Sequence, residues 1–114
     1  MTGEKPVQFE VIANGLRFPE GPIWMPNGDL ILVEIEAGRL SRVSNEGVIA
    51  TIADLGGSPN GAAIGPDGAC YVCNSGGFTW LTVDGLLFPE GTPADYSGGS
   101  IQRVDLETGK FETI

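Results

Sequence analysis

The chain has 114 residues, 15 acidic against 6 basic side chains and no histidine. Its net charge of −9 repels polyanions and excludes nucleic acid as an expected partner. The longest apolar run, Leu30 to Val33, falls far short of the ~20 residues that span a bilayer, and no cluster of Lys or Arg marks a membrane-surface patch, so no membrane partner is expected.

No apolar run follows the charges of Met1 to Pro6, so no secretory leader is expected and a cytoplasmic location follows by default. The first candidate strand is Val7 to Ala13, closed by Asn14-Gly15. In a closed ring of sheets, such a leading segment can supply the outer strand of the last sheet, which is an analogy at the level of fold class.

Beyond it the chain matches itself at an offset of 40 residues: Pro19 to Asp29 lines up with Pro59 to Ala69, and each copy leads through a Gly-centred turn into an apolar run. A period near 40 built from short strands and turns is the signature of a radial array of four-stranded blades. The expected fold class is therefore all-β, a β-propeller. Such arrays close with roughly 4–8 blades, and about two are visible here, so either further blades or an assembly of several copies is expected.

Blade one is expected over about 21–53. Pro22 to Met25 reads as its inner strand, Pro26-Asn27-Gly28 as the turn, and Asp29 to Ile35 as the second strand. Leu30 and Leu32 fall on one face of that strand and Ile31, Val33 and Ile35 on the other, which suits a sheet packed between two neighbours. Arg39 to Ser44 and Val48 to Ala53 follow as strands three and four. Arg39, Ser41 and Arg42 make strand three polar, as befits an outer position.

Blade two is expected over about 61–114, with Ala62 to Ile64, the Pro66-Asp67-Gly68 turn and Ala69 to Cys73. Cys70 and Cys73 have a Cys-x-x-Cys spacing, but on a strand they point to opposite faces, and the turn formers Asn74 to Gly77 follow where a redox motif needs a helix. Both read as small buried hydrophobes. The third strand returns only at Ile101 to Asp105, which echoes Leu40 to Ser44 at an offset grown from 40 to 61. An insert at 78–99, carrying Trp80, Phe88 and Tyr96, is therefore either a lid or rim on the binding face or a solvent-facing hairpin without a role. Within it, Phe88-Pro89-Glu90-Gly91 repeats Phe18-Pro19-Glu20-Gly21 out of phase with the blades and reads as coincidence. Lys110 to Ile114 begins a fourth strand.

In a propeller, chemistry is sought where the inner strands begin. Blade one puts Glu20 there and blade two Asn60, a carboxylate and an amide oxygen suited to a hard cation such as Ca²⁺ or another divalent ion, which takes about 6–8 oxygen ligands. Glu20 is the candidate metal ligand; Asn60 and Asn74 are the candidate substrate or pore-lining amides. Glu34 and Asn74 correspond at offset 40 and end the second strands, where they read either as groups that support the site's ligands from behind or as strand caps.

The run Gly15 to Trp24, followed by Gly28 to Val33, resembles the N-terminal blade of the senescence marker protein (regucalcin), gluconolactonase and LRE-like family, and Ser58 to Gly68 resembles its next blade. The resemblance implies a six-bladed, calcium-dependent propeller that hydrolyses sugar lactones or related esters, with Glu20 as the first-blade metal ligand. It also implies that the other ligands, an asparagine and an aspartate, and the general base come from later blades, beyond Ile114. The expected partner is then a small lactone or ester. Two alternatives stay open: a non-catalytic fragment binding through the aromatic insert, and a homo-oligomer in which three two-blade chains close the ring.

Overall fold

Ten strands and no helix make up residues 3–114, which the computed structural model describes. The first sheet holds β1 (Pro19–Trp24), β2 (Leu30–Glu34), β3 (Arg39–Val43) and β4 (Ile49–Asp54) in antiparallel order β1-β2-β3-β4. The second holds β5 (Pro59–Ile64), β6 (Cys70–Asn74), β9 (Ser100–Val104) and β10 (Phe111–Thr113) in the same order from the inside outward. Between β6 and β9, β7 (Thr79–Val83) and β8 (Leu86–Gly91) form a separate hairpin.

The repeat is visible in individual hydrogen bonds. The Met25 amide donates to the Asp29 carbonyl at 2.8 Å and the Gly65 amide to the Ala69 carbonyl at 2.9 Å. Each turn is held by a side chain two residues back: the Asp29 amide donates to Asn27 Oδ1 at 3.0 Å, and the Ala69 amide to Asp67 Oδ1 at 3.1 Å. The third strand then returns an arginine to the turn, Arg42 to Asp29 at 3.3 Å and Arg103 to Asp67 at 3.0 Å. The acid sits two places earlier in the second turn, yet the ion pair is kept.

Ile31, Val33 and Leu40 of the first sheet pack with Cys70, Val72 and Val104 of the second in one core. This is the reason the second strands are apolar on both faces: the side of β2 bearing Ile31 and Val33 meets the neighbouring sheet, while Leu32 on the other side is also buried. The inner strands adjoin. Gly21, at φ 59°, lies so close to β5 that a Cβ there would be 3.4 Å from the Gly61 Cα.

Four expectations are corrected. Val7 to Ala13 alternates like a strand but has no neighbouring strand to bond to and forms none; Phe9 is 89 % exposed. The inner strand begins at Pro19, not Pro22, so Glu20 is part of the ladder. β3 is less exposed than its polar residues suggest: Ser41 is fully buried because its hydroxyl has an internal acceptor. Cys70 is buried, but Cys73, on the opposite face, is exposed.

The inserted hairpin is fastened at its neck. Gly76, at φ 97°, passes so close to Gly98 that any side chain at 76 would collide with the Gly98 carbonyl oxygen. Gly76→Ala is expected to destabilise the chain by about 2 kcal/mol, from the left-handed backbone and the clash together, read as a lowered urea midpoint.

Candidate functional site

Each second strand ends in a polar side chain that reaches inward rather than out to water. Glu34, at 0 % exposure, accepts from the Arg17 amide at 2.8 Å, from Arg39 Nε and Nη2 at 2.6 and 3.0 Å, and from Ser41 Oγ at 2.5 Å. Forty residues on, Asn74 Oδ1 accepts from the Ser58 and Gly76 amides at 3.0 and 2.9 Å, while its Nδ2 donates to the Gly56 carbonyl at 2.8 Å and to Gln102 Oε1 at 3.0 Å. The two joints are built alike. In both, the end of the second strand grips a third-strand side chain, Ser41 or Gln102, and the backbone amide of the loop entering the inner strand.

These joints set the approach to the inner strands. Just after each, a ladder bond repeats at offset 40: the Ile35 amide to the Phe18 carbonyl at 3.0 Å, and the Ser75 amide to the Ser58 carbonyl at 2.9 Å. Burial by itself pushes the Glu34 carboxyl up, but the hydrogen bonds from Arg39, Ser41 and the Arg17 amide outweigh it and hold the group below its usual value. Arg17 is tied again through its guanidinium, which meets both Glu36 oxygens at 2.9 Å. Asn74 has no valence left for a ligand: two donors and two acceptor sites are all used. Of the two readings for Glu34 and Asn74, the geometry is that of an internal joint.

Glu20 is different. It is exposed, and its side chain makes no hydrogen bond or ion pair among the described residues. Its strand bulges just after it, between Glu20 and Ile23, and β5 bulges slightly earlier in the repeat, between Pro59 and Gly61, around Asn60. Bulges commonly re-aim side chains beside functional sites. With Gly21 against Gly61, the two bulges adjoin. Asn60 is also exposed; its Nδ2 donates to Ser75 Oγ at 3.3 Å, and its amide oxygen has no partner among the described residues. The pair offers hard oxygen donors, the right kind for Ca²⁺ but only a fraction of its shell. Among the described residues, no group of three or more His, Cys, Asp or Glu side chains could hold a metal ion.

Two features of this end of the molecule were not legible as a site. Ser58 Oγ, buried beside Pro59, has no hydrogen-bond partner among the described residues. The hairpin leaves from the end of β6, where Asn74 pairs with Pro59, so it rises at the end of the second sheet that carries Asn60. It folds over that end: the Trp80 ring lies 5.2 Å from Phe18, and a cleft of about 450 Å³ runs between Arg17 and Phe18 on one side and Leu86 and Phe88 on the other. The glycine pairs Gly76-Gly77 and Gly98-Gly99 that bracket the insert were its available sequence signal. The Cys-x-x-Cys spacing carries no chemistry of its own here: burial pushes the Cys70 thiol up to about 11, where it stays protonated and unreactive.

Two facing four-stranded antiparallel sheets, with inner strands adjoining and the repeat's turns superposable bond for bond, are consecutive blades of a β-propeller. The profile of the SMP-30/Gluconolactonase/LRE-like region matches residues 18–114, and the chain belongs to that family. It is similar to a gluconolactonase of Zymomonas mobilis subsp. mobilis, 29 % identical over 90 residues, covering 67 % of this chain and 25 % of that protein. The chain thus spans about a quarter of the length of the curated relative it matches. No helix among the described residues is long and apolar enough to cross a membrane.

Because Glu34 is charged, buried and gripped by three partners, Glu34→Ala is expected to cost about 3 kcal/mol, leaving Arg39, Ser41 and the Arg17 amide without their acceptor. The folded carboxyl lies below its unfolded value of about 4.3, so its contribution is present above that pH and fades as pH falls through the folded value. Denaturation midpoints measured from about pH 6 down to pH 3 should fall more steeply for the native chain than for Glu34→Gln.

Proposed function

We propose that this chain contributes two blades of a gluconolactonase-type hydrolase that opens sugar lactones or related esters by metal-assisted attack of water. The observation that carries the reading is the pair of adjoining bulges, which leave a free carboxylate, Glu20, and a free amide oxygen, Asn60, at the start of neighbouring inner strands. Family membership and the gluconolactonase relative support the reaction class.

In this reading Glu20 is a ligand to Ca²⁺ or another divalent cation, and Asn60 lines the same opening and orients substrate. A cation held there supplies polarisation of the lactone carbonyl and a counter-charge for the developing oxyanion. Glu20 is read as a ligand and not as the base, since a cation bound to a carboxylate lowers its basicity and so its power to take a proton from water. The joints at Glu34 and Asn74 keep the two bulges at a fixed separation, and fixed donors are what makes such a site effective.

The experiment is hydrolysis of a sugar lactone, followed by pH-stat, with three proteins: this chain, a polypeptide that closes the ring around it, and the Glu20→Ala form of the latter. The closed ring is expected to turn over, to lose activity with a chelator and regain it with Ca²⁺, and to lose about 100-fold or more on Glu20→Ala. The 114-residue chain alone is expected to show no turnover. Chelator-insensitive hydrolysis, or full activity in Glu20→Ala, would refute the proposal.

A further inference from the structure

Among the described residues, two that are not glycine have positive φ: Asp84 at 51° and Phe18 at 60°. Asp84 precedes Gly85 in the two-residue turn of the hairpin, where such a conformation is ordinary. Phe18 has no such excuse. A bulky side chain is a true outlier there, and the proline that follows it favours an extended backbone before it. Strain of this sort persists only when the surroundings over-determine it, and it gathers at functional sites.

The second blade shows that the fold does not demand it. The chain enters β5 through the same ladder bond, Ser75 amide to Ser58 carbonyl, but takes its left-handed steps at Gly56 and Gly57, at φ 73° and 58°, where they cost little. Blade one takes the step one residue later, at a phenylalanine. What blade one has in exchange is an aromatic contact: Phe18 meets Trp80 at 5.2 Å with planes inclined 59°, and Trp80 meets Phe78 edge-on at 6.0 Å. Trp80 and Phe78 also pack against the main core, and the neck of the hairpin is closed by glycines. The contact therefore comes from a fixed support.

We propose that Trp80 of the inserted hairpin is a positioning residue for Glu20, its indole holding Phe18 in the left-handed conformation from which Pro19 and Glu20 leave. The segment is gripped from two sides, by Glu34 on the Arg17 amide and by Trp80 on the Phe18 ring. The insert is then neither an idle hairpin nor only a rim: it sets the aim of the first-blade bulge. What Glu20 does when so aimed rests on the function proposed above, whereas the clamp itself does not.

Amide hydrogen exchange on this chain tests it, with a control built into the repeat. The Ile35 amide reports the Phe18 carbonyl, and the Ser75 amide reports the Ser58 carbonyl in blade two. Trp80→Ala is expected to speed exchange at Ile35 roughly three- to tenfold relative to Ser75 and to shift the Glu20 amide resonance. Trp80→Phe, which keeps a ring, should restore both. On a Phe18→Gly background Trp80→Ala should change neither, because glycine reaches φ 60° without strain and offers no ring for Trp80 to hold. Equal acceleration at Ile35 and Ser75 would mean general destabilisation and would overturn the proposal, as would an unmoved Glu20 amide or an undiminished effect in Phe18→Gly. Should Trp80→Ala not fold, Trp80→Leu is compared with Trp80→Phe by the same two readouts. Failure of the metal reading, seen in chelation and Glu20→Ala, leaves the exchange result unaffected, so the two can fail separately.

Discussion

One polar contact at the end of each second strand governs this structure: Glu34 on the Arg17 amide, and Asn74 on the Ser58 amide. A buried carboxylate without partners is far too costly to keep, and a buried amide with idle valences costs less but still about 1–3 kcal/mol. Each therefore fixes everything it bonds to. Glu34 recruits Arg39 and Ser41 from the third strand; Asn74 recruits Gln102 from the third strand and the Gly56 carbonyl from the incoming loop. The same design appears with a charge in one blade and without it in the other, so the geometry of the joint, and not its charge, is what the repeat keeps.

The consequence is felt at the inner strands. The loops that enter β1 and β5 arrive at set heights, the bulges at Glu20 and Asn60 come side by side, and Gly21 lets the two strands touch. Polar groups that must act together need such support, because a donor misplaced by an ångström loses most of its value. The inserted hairpin adds to blade one what the repeat does not contain, an aromatic weight on a strained residue two positions from the free carboxylate. The acidic surface follows a simpler rule. The ion pairs of Arg42 and Arg103 with the turn acids, half-buried in the first blade and exposed in the second, contribute little to stability, but they show the acid moved two places within equivalent turns.

Much of this could be read without coordinates, and the misses are instructive. The offset of 40, the two Gly-centred turns and the apolar second strands pointed to tandem blades, and the jump from 40 to 61 pointed to the insert. Ser41 was misjudged as an outer polar residue because a lone serine in a strand says nothing about an acceptor seven residues away. Cys73 was misjudged as buried because one face of its strand is uncovered among these two blades. Val7 to Ala13 has the alternation of a strand but nothing to pair with, and alternation alone does not make one. Asn74 looked like a group for a ligand, yet its four hydrogen bonds all stay within the chain.

By itself the amino-acid order determined the architecture: local turn chemistry and the two periodicities, of about 2 within strands and of 40 between blades, are short-range properties that residues carry with them. The tertiary structure alone decided which polar side chains are spent internally and which are left free. Glu34 and Glu20 are the same residue type, 14 positions apart; one is surrounded by donors from residues 17, 39 and 41, and the other stands beside a bulge with none. The difference arises from partners brought together by folding, and no neighbouring residue in the chain announces it.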